Sequence, residues 1–164
     1  MATQAKGGGT LTRERVWKAL DKASFAVLGH VNGAGEPRSS GVVYGVADGS
    51  LYVVVAADGW KAHDLHTGDQ VAVTVPVRRG GLLSLLFPIP PATISFHATV
   101  TVHEPGTVRP EKLPGDLARL LPTNPGTSSV LLELVPVGAF LTYGIGVSLL
   151  DLARPELARG RVAC

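Results

Sequence analysis

The chain has 164 residues and a single cysteine, Cys164, at its last position. No intrachain disulfide can form, and a reducing, cytoplasmic setting fits. A prenylation box needs three residues after its cysteine, so none is expected at Cys164. Charge is also scarce. Only 17% of residues are charged, with 13 acids against 15 bases and a net charge of +2. The basic residues fall into scattered groups, the largest being Arg13–Arg15–Lys18–Lys22, Arg78–Arg79 and Arg154–Arg159–Arg161. Aromatics make up 5% of the chain and do not interleave with these groups, so no nucleic-acid partner is expected. The acids form no pair on one short element, which leaves a carboxylate hydrolase unsupported. There is no P-loop, no dinucleotide-binding glycine fingerprint and no nucleophile elbow.

Long apolar runs are almost absent too. The opening "MATQAKGGGT" lacks the apolar core of a secretory signal and reads as a flexible leader over residues 1–10. The uncharged stretch from Gly80 to Val102 contains "FPIPP", which breaks a spanning helix, so no membrane span is expected. Residues 11–164 are read as one domain, because 45% hydrophobic residues over this length suffice for one substantial core.

What is present is mostly strand. "LTRERVWKALDKAS" is an amphipathic helix with Thr12 as its cap and Val16, Trp17, Leu20 and Ala23 on one stripe. "FAVLGHV" and "RSSGVVYGV" are two strands joined by the turn-rich "NGAGEP", and "ADG" leads on to "SLYVVV". Three strands with short connections make an antiparallel meander. A short helix runs from about Trp60 to His66, closed by Gly68. "QVAVTVPV" is a fourth strand. "ATISFHATVTVH" alternates cleanly, with Ile94, Phe96, Ala98, Val100 and Val102 on one face. "PGDLARLLP" reads as a brief helix. "SSVLLELVPVGAFLTYGIG" supplies at least one more strand, with Pro136 marking an edge, bulge or bend. "VSLLDLARPELARG" reads as a closing helix interrupted at Pro155. About six strands, mostly sequence neighbours, predict a small closed or nearly closed antiparallel β-barrel with short peripheral helices.

Candidate chemistry is thin. His63 and His66 stand at a spacing that two metal ligands can share, but no further ligand is in sight, and surface or capping roles are favoured. His97 and His103 lie on the polar face of the alternating strand. In "RRGGLLSLLFPIPP", the side chains of Leu82, Leu83, Leu85, Leu86, Phe87 and Ile89 are too apolar for a free loop. They are expected over a ligand pocket, across a dimer interface or on the barrel's own core. Arg38 opens the second strand and Lys61 opens the short helix after the third. In a meander these two ends are neighbours, so the two cations could flank one anion, with the helix start assisting.

The order of "GEPRSSGVV" and "GWKAHDL" on this helix-and-meander framework resembles the pyridoxamine 5′-phosphate oxidase-like, FMN-binding split-barrel superfamily. The resemblance runs from about Leu11 to Val102. It implies a six-stranded antiparallel split barrel and a homodimer with the cofactor at the subunit interface. It places Arg38, Ser39, Ser40, Gly41, Val42 and Val43 along the ribityl phosphate and flavin ring. Val54 and Val55 would touch the flavin through their backbone, and Lys61 would pair with its phosphate. The arginine usual before that lysine is Trp60 here, and the lysine that ends the second-strand motif of the B6 oxidases is Val43. The resemblance is therefore to a divergent member and not to a B6 enzyme. It implies a flavin-dependent oxidoreductase, using FMN or the deazaflavin coenzyme on a small organic substrate. The alternative is a non-catalytic binding protein on the same barrel, holding a flavin, haem or apolar ligand, or no flavin at all.

Overall fold

A computed structural model of the chain describes residues 10–79, 90–104, 128–148 and 150–164. Most of the apolar stretch 82–91 and the helix read at 114–122 lie outside the described residues. The first helix, α1 (Arg13–Lys22), starts where the sequence predicts. Thr12 is extended, and its hydroxyl accepts from the Arg15 amide at 3.2 Å. Val16 and Leu20 are buried. The Tyr44 hydroxyl, itself buried, donates to the Leu20 carbonyl at 2.7 Å and ties the helix to the sheet.

Seven strands follow: β1 (Phe25–Val31), β2 (Pro37–Ala47), β3 (Ser50–Ala56), β4 (Gln70–Val77), β5 (Ala92–His103), β6 (Ser129–Tyr143) and β7 (Arg159–Ala163). Asp48 and Gly49, both at positive φ, make a two-residue turn that locks Ala47 opposite Ser50. Such a turn matches the twist of the strands it joins. Between β1 and β2, the Asn32 carboxamide oxygen accepts from the amides of Ala34 and Glu36 and holds the longer connection. All pairings are antiparallel. The sheet order is β3-β2-β1-β4-β5-β6-β7, and β3 also pairs with β6. Six strands thus close on themselves, as the sequence reading expects.

Alternate side chains of all six fill the interior. Leu28, Leu51, Val53, Val73, Val75, Ile94, Leu132 and Leu134 are fully buried. Phe140 plugs the space between α1 and the barrel, edge-on to Trp17 at 5.4 Å and to Phe96 at 5.1 Å. Pro136 lies where β6 has left β3, whose last partner is Leu134, and has not yet met β7, which begins opposite Ala139. There β6 is bonded on one edge only, so a residue without an N–H is tolerated.

The C-terminal reading needs correction. A 3-10 turn at Leu150–Ala153 and α3 (Pro155–Ala158) are present, but the chain then enters β7 instead of continuing as helix. Arg159 already has extended backbone. The five residues that follow find an open edge of β6 at Ala139–Tyr143, and edge pairing outweighs the weak helical tendency of "RGRVA". The short helix after β3, α2 (Trp60–Asp64), also ends earlier than read. Leu65 turns to extended backbone and is buried, drawing the chain back onto the core.

The β3–β6 seam that closes the barrel carries a polar cluster on its outer side. Glu133 stands opposite Tyr52. One of its carboxylate oxygens accepts from Ser50 Oγ at 2.9 Å, and the other meets His103 Nε2 at 2.9 Å. The Tyr52 hydroxyl is its third partner. Burial pushes the Glu133 carboxyl up, but the bonds from His103, Ser50 and Tyr52 outweigh it and hold the group below the usual carboxylate range. Burial and the neighbouring Glu133 charge push the Tyr52 phenol up to about 12.

Because the folded state depresses the Glu133 pKa, its contribution is complete above the ordinary carboxylate pKa and disappears as pH falls through the folded value. Glu133→Gln should lower unfolding free energy by about 1–2 kcal/mol at pH 7, the loss of charge-assisted bonds. The gap to wild type should narrow below about pH 4.3. Urea denaturation of both proteins across this range measures it. A gap that stays constant with pH would show that the charge plays no part.

Candidate functional site

The ladder between β2 and β3 runs only from Tyr44 opposite Val53 to Ala47 opposite Ser50. Beyond that point the strands part. Residues 37–43 of β2 stay with β1, whose register runs from Phe25 opposite Val43 to Val31 opposite Pro37. Residues 54–56 of β3 stay with β6, opposite Leu131, Val130 and Ser129. Among the described residues each strand therefore pairs on one edge only here, and an unpaired edge offers N–H and C=O groups.

The gap is a cleft of about 330 Å³ lined by Gly41, Val42, Val43, Val54, Val55, Ala56, Gly59, Trp60 and Lys61. Seven of the ten residues expected from the sequence line it together: Gly41, Val42, Val43, Val54, Val55, Trp60 and Lys61. Ala56 and Gly59 are additions the motifs did not single out. The remaining three lie just below on β2. Ser40 has a buried hydroxyl with no partner among the described residues. Ser39 stands beside it, exposed. Arg38 is half-exposed and lies 3.5 Å from Glu36. It lines a second groove of about 630 Å³, with Gly29, His30, Asp69, Gln70 and His97.

Local sequence explains the cleft's shape. Gly41 has no side chain because the Phe25 ring lies there; a Cβ would stand 2.7 Å from that ring. The turn into α2 is set by the Gly59 amide donating to the Ala56 carbonyl at 3.0 Å. Lys61 is the only ionisable residue in the lining. Its ammonium stands 4.7 Å from the centre of the Trp60 ring, within cation–π range. The five-residue α2 has no side-chain cap bond, and it is too short to build much of a dipole. The helix start therefore adds little to the positive charge that Lys61 brings to the cleft.

The other histidines are dispersed. His63 is exposed, and His66 lies past the end of α2 with its imidazole 3.7 Å from Asp69. His97 is exposed in the second groove, while His103 is engaged by Glu133. Among the described residues no group of three or more His, Cys, Asp or Glu side chains converges as a metal site. No helix among them is long and apolar enough to cross a membrane.

No family model matches the sequence, and no curated protein matches it. Solved structures do match. The haem storage protein HutZ from Vibrio cholerae superposes with a TM-score of 0.61 at 14% identity, over 84% of this chain and 98% of that one. A pyridoxamine 5′-phosphate oxidase-like protein from Listeria innocua gives 0.56 at 15% identity, over 75% and 91%. An F420 reductase gives 0.53 at 16% identity, over 75% and 93%. The fold is thus the split barrel shared by pyridoxamine 5′-phosphate oxidase-like proteins.

Proposed function

We propose that the chain holds a flavin-type cofactor in the β2–β3 cleft and acts as a flavin-dependent oxidoreductase on a small organic substrate. The observation that carries this reading is the combination in one cleft of two open strand edges, four valines and one cation. A planar ring with a polar rim suits valine walls flanked by free backbone donors and acceptors. Lys61 would take the phosphate of the side chain. The unpartnered Ser40 hydroxyl, next to Gly41 in the sequence, is a further polar group available to such a ligand. FMN and the deazaflavin coenzyme both present a ring and a phosphate-bearing chain. Bound there, either would supply the electron-transfer chemistry, and the protein would bind and orient it.

A homodimer belongs to the proposal. A cleft of about 330 Å³ is at the low end for small-molecule sites, as befits one completed by a second surface. Around its mouth Phe25, Val43 and Trp60 are 46%, 50% and 40% exposed. Apolar groups gathered in this way call for cover.

A second reading, a non-catalytic binding protein for flavin or haem, is favoured by one feature of the cleft. Its lining holds no acid or base other than Lys61. General acid–base chemistry would have to come from substrate, solvent or a second subunit. The likeness to a haem storage protein supports the same reading.

Fluorescence titration with FMN and riboflavin tests the site. Lys61→Ala should weaken FMN by roughly ten- to a hundred-fold, the loss of a charge-assisted bond of about 1.5–3 kcal/mol. Riboflavin, which lacks the phosphate, should bind both proteins alike. Arg38→Ala should matter less, because Arg38 faces the neighbouring groove beside Glu36. Equal FMN affinity in wild type and Lys61→Ala would remove the phosphate role. A wild-type protein that takes up haemin but no flavin would favour the second reading.

Light scattering tests the assembly. Wild type should run at twice the chain mass, and Val43→Glu, which sets a charge on the apolar rim, should run at the chain mass. A monomeric wild type would sink the dimer.

A further inference from the structure

His30 is the only buried histidine among the described residues, and the fold does not explain it. It occupies an inward position of β1, after Ala26 and Leu28, where an apolar residue would serve the core better. Its side chain is only 1% exposed. Burying a polar ring is costly unless it has partners. His30 Nε2 lies 3.4 Å from Asp64 Oδ2, at the end of α2, and Nδ1 has no hydrogen-bond partner among the described residues. The face of its ring is stacked on Trp60, with centres 5.3 Å apart and planes 16° from parallel.

Besides these contacts, the helix on their other side packs Ala62 against the core and is followed by the buried Leu65. α2 has five residues, buries none of them and makes no side-chain cap bond. A helix of this length does not persist on its own. Its two ends are tied to the same imidazole, Trp60 by stacking at the first residue and Asp64 by hydrogen bond at the last. Between them stands Lys61, its ammonium over the Trp60 ring.

We propose that His30 is a positioning residue for the cleft: pinned by Asp64, its imidazole holds the Trp60 indole at the cleft wall and so fixes where Lys61 stands. Trp60 occupies the position where an arginine precedes the lysine in sequences this chain resembles. An arginine would address an anion directly. An indole cannot, and it needs a surface to lie on, which His30 supplies from β1. The flavin part of the test rests on the functional reading above; the positioning itself does not.

The experiment uses the full chain with Trp17→Phe, so that Trp60 is the only fluorescent indole. Acrylamide quenching of Trp60 emission is measured in this protein and in His30→Leu, His30→Phe, Asp64→Ala and Val73→Ala derivatives. His30→Leu and Asp64→Ala should expose Trp60 to quencher, while His30→Phe, which keeps a flat ring, should restore much of the protection. Val73→Ala removes core packing away from α2 and should lower stability without raising quenching. FMN affinity should fall about ten-fold in His30→Leu, and riboflavin affinity clearly less, because what is lost is the placement of Lys61. Unchanged quenching in both His30→Leu and Asp64→Ala would overturn the proposal. So would an equal rise in Val73→Ala, since the effect would then be general loosening. If His30→Leu fails to fold, Asp64→Ala, at the partly exposed partner, leaves Nε2 without its side-chain acceptor and decides alone. If wild type takes up no flavin, the flavin reading fails while the quenching arm still decides the positioning role.

Discussion

The cleft depends on β3 being held from one side. Once β3 parts from β2 at Val53, its last residues pair, among the described strands, only with β6, through Val54 opposite Leu131 to Ala56 opposite Ser129. A strand bonded on both edges has no backbone groups to offer a ligand. A strand bonded on neither would not stay in place. The split is possible because the β3–β6 seam closes the barrel and carries the load that β2 gives up. Glu133 matters in this light. It joins β3, β5 and β6 at the end of the seam away from the cleft, with a carboxylate that three side chains hold in its charged form. Such a group stabilises through hydrogen bonds to charge, which are worth more than neutral ones.

The electrostatics of the cleft follow from the chain's general poverty in charge. With one cation in the lining, a ligand bearing a phosphate, as proposed above, would gain one strong contact and would rely on apolar walls and backbone for the rest. Arg38 was expected beside Lys61 because the two ends of a meander are adjacent. Register alone does bring the start of β2 level with the end of β3. The strands diverge over that stretch, however, and the guanidinium lies on the second groove, near Glu36. An exposed pair of this kind contributes little to stability, so Arg38 is not strongly held there.

Much of the fold was legible because its signals are local. The Asp48-Gly49 turn, the Thr12 cap and the alternation of β5 each depend on residues within a few positions of one another. Their order gave the meander and then the barrel. Most of the cleft lining was expected too, because the family resemblance carried by two short motifs named it, with Val54 and Val55 of the strand between them. What escaped was non-local. Glu133 stands 30 positions from His103 and 83 from Ser50 in sequence, and nothing around it marks it as their partner. β7 was misread because "RGRVA" has no clear pattern of its own and becomes a strand only where β6 offers an edge. His30 sits in "FAVLGHV", where alternation does assign it to the interior, and that signal was available: a histidine on an inward register of an apolar strand needs a reason.

That reason ties sequence to site. A chain with few charges and few aromatics has placed two of its aromatic rings, His30 and Trp60, face to face at the end of the barrel beside its one cleft cation. Stacking at 5.3 Å is a modest interaction, and an imidazole–carboxylate contact of 3.4 Å is a long one. Neither would fix a five-residue helix alone. Together they act at its two ends, through a ring whose own position is set by a strand bonded on both edges, to β2 and to β4. Rigidity therefore passes from the closed part of the sheet, through His30, to the segment that bounds its open part. The segment that bounds the cleft thus has its anchor in a strand bonded to β2 opposite His30 and to β4 as far as Gly29.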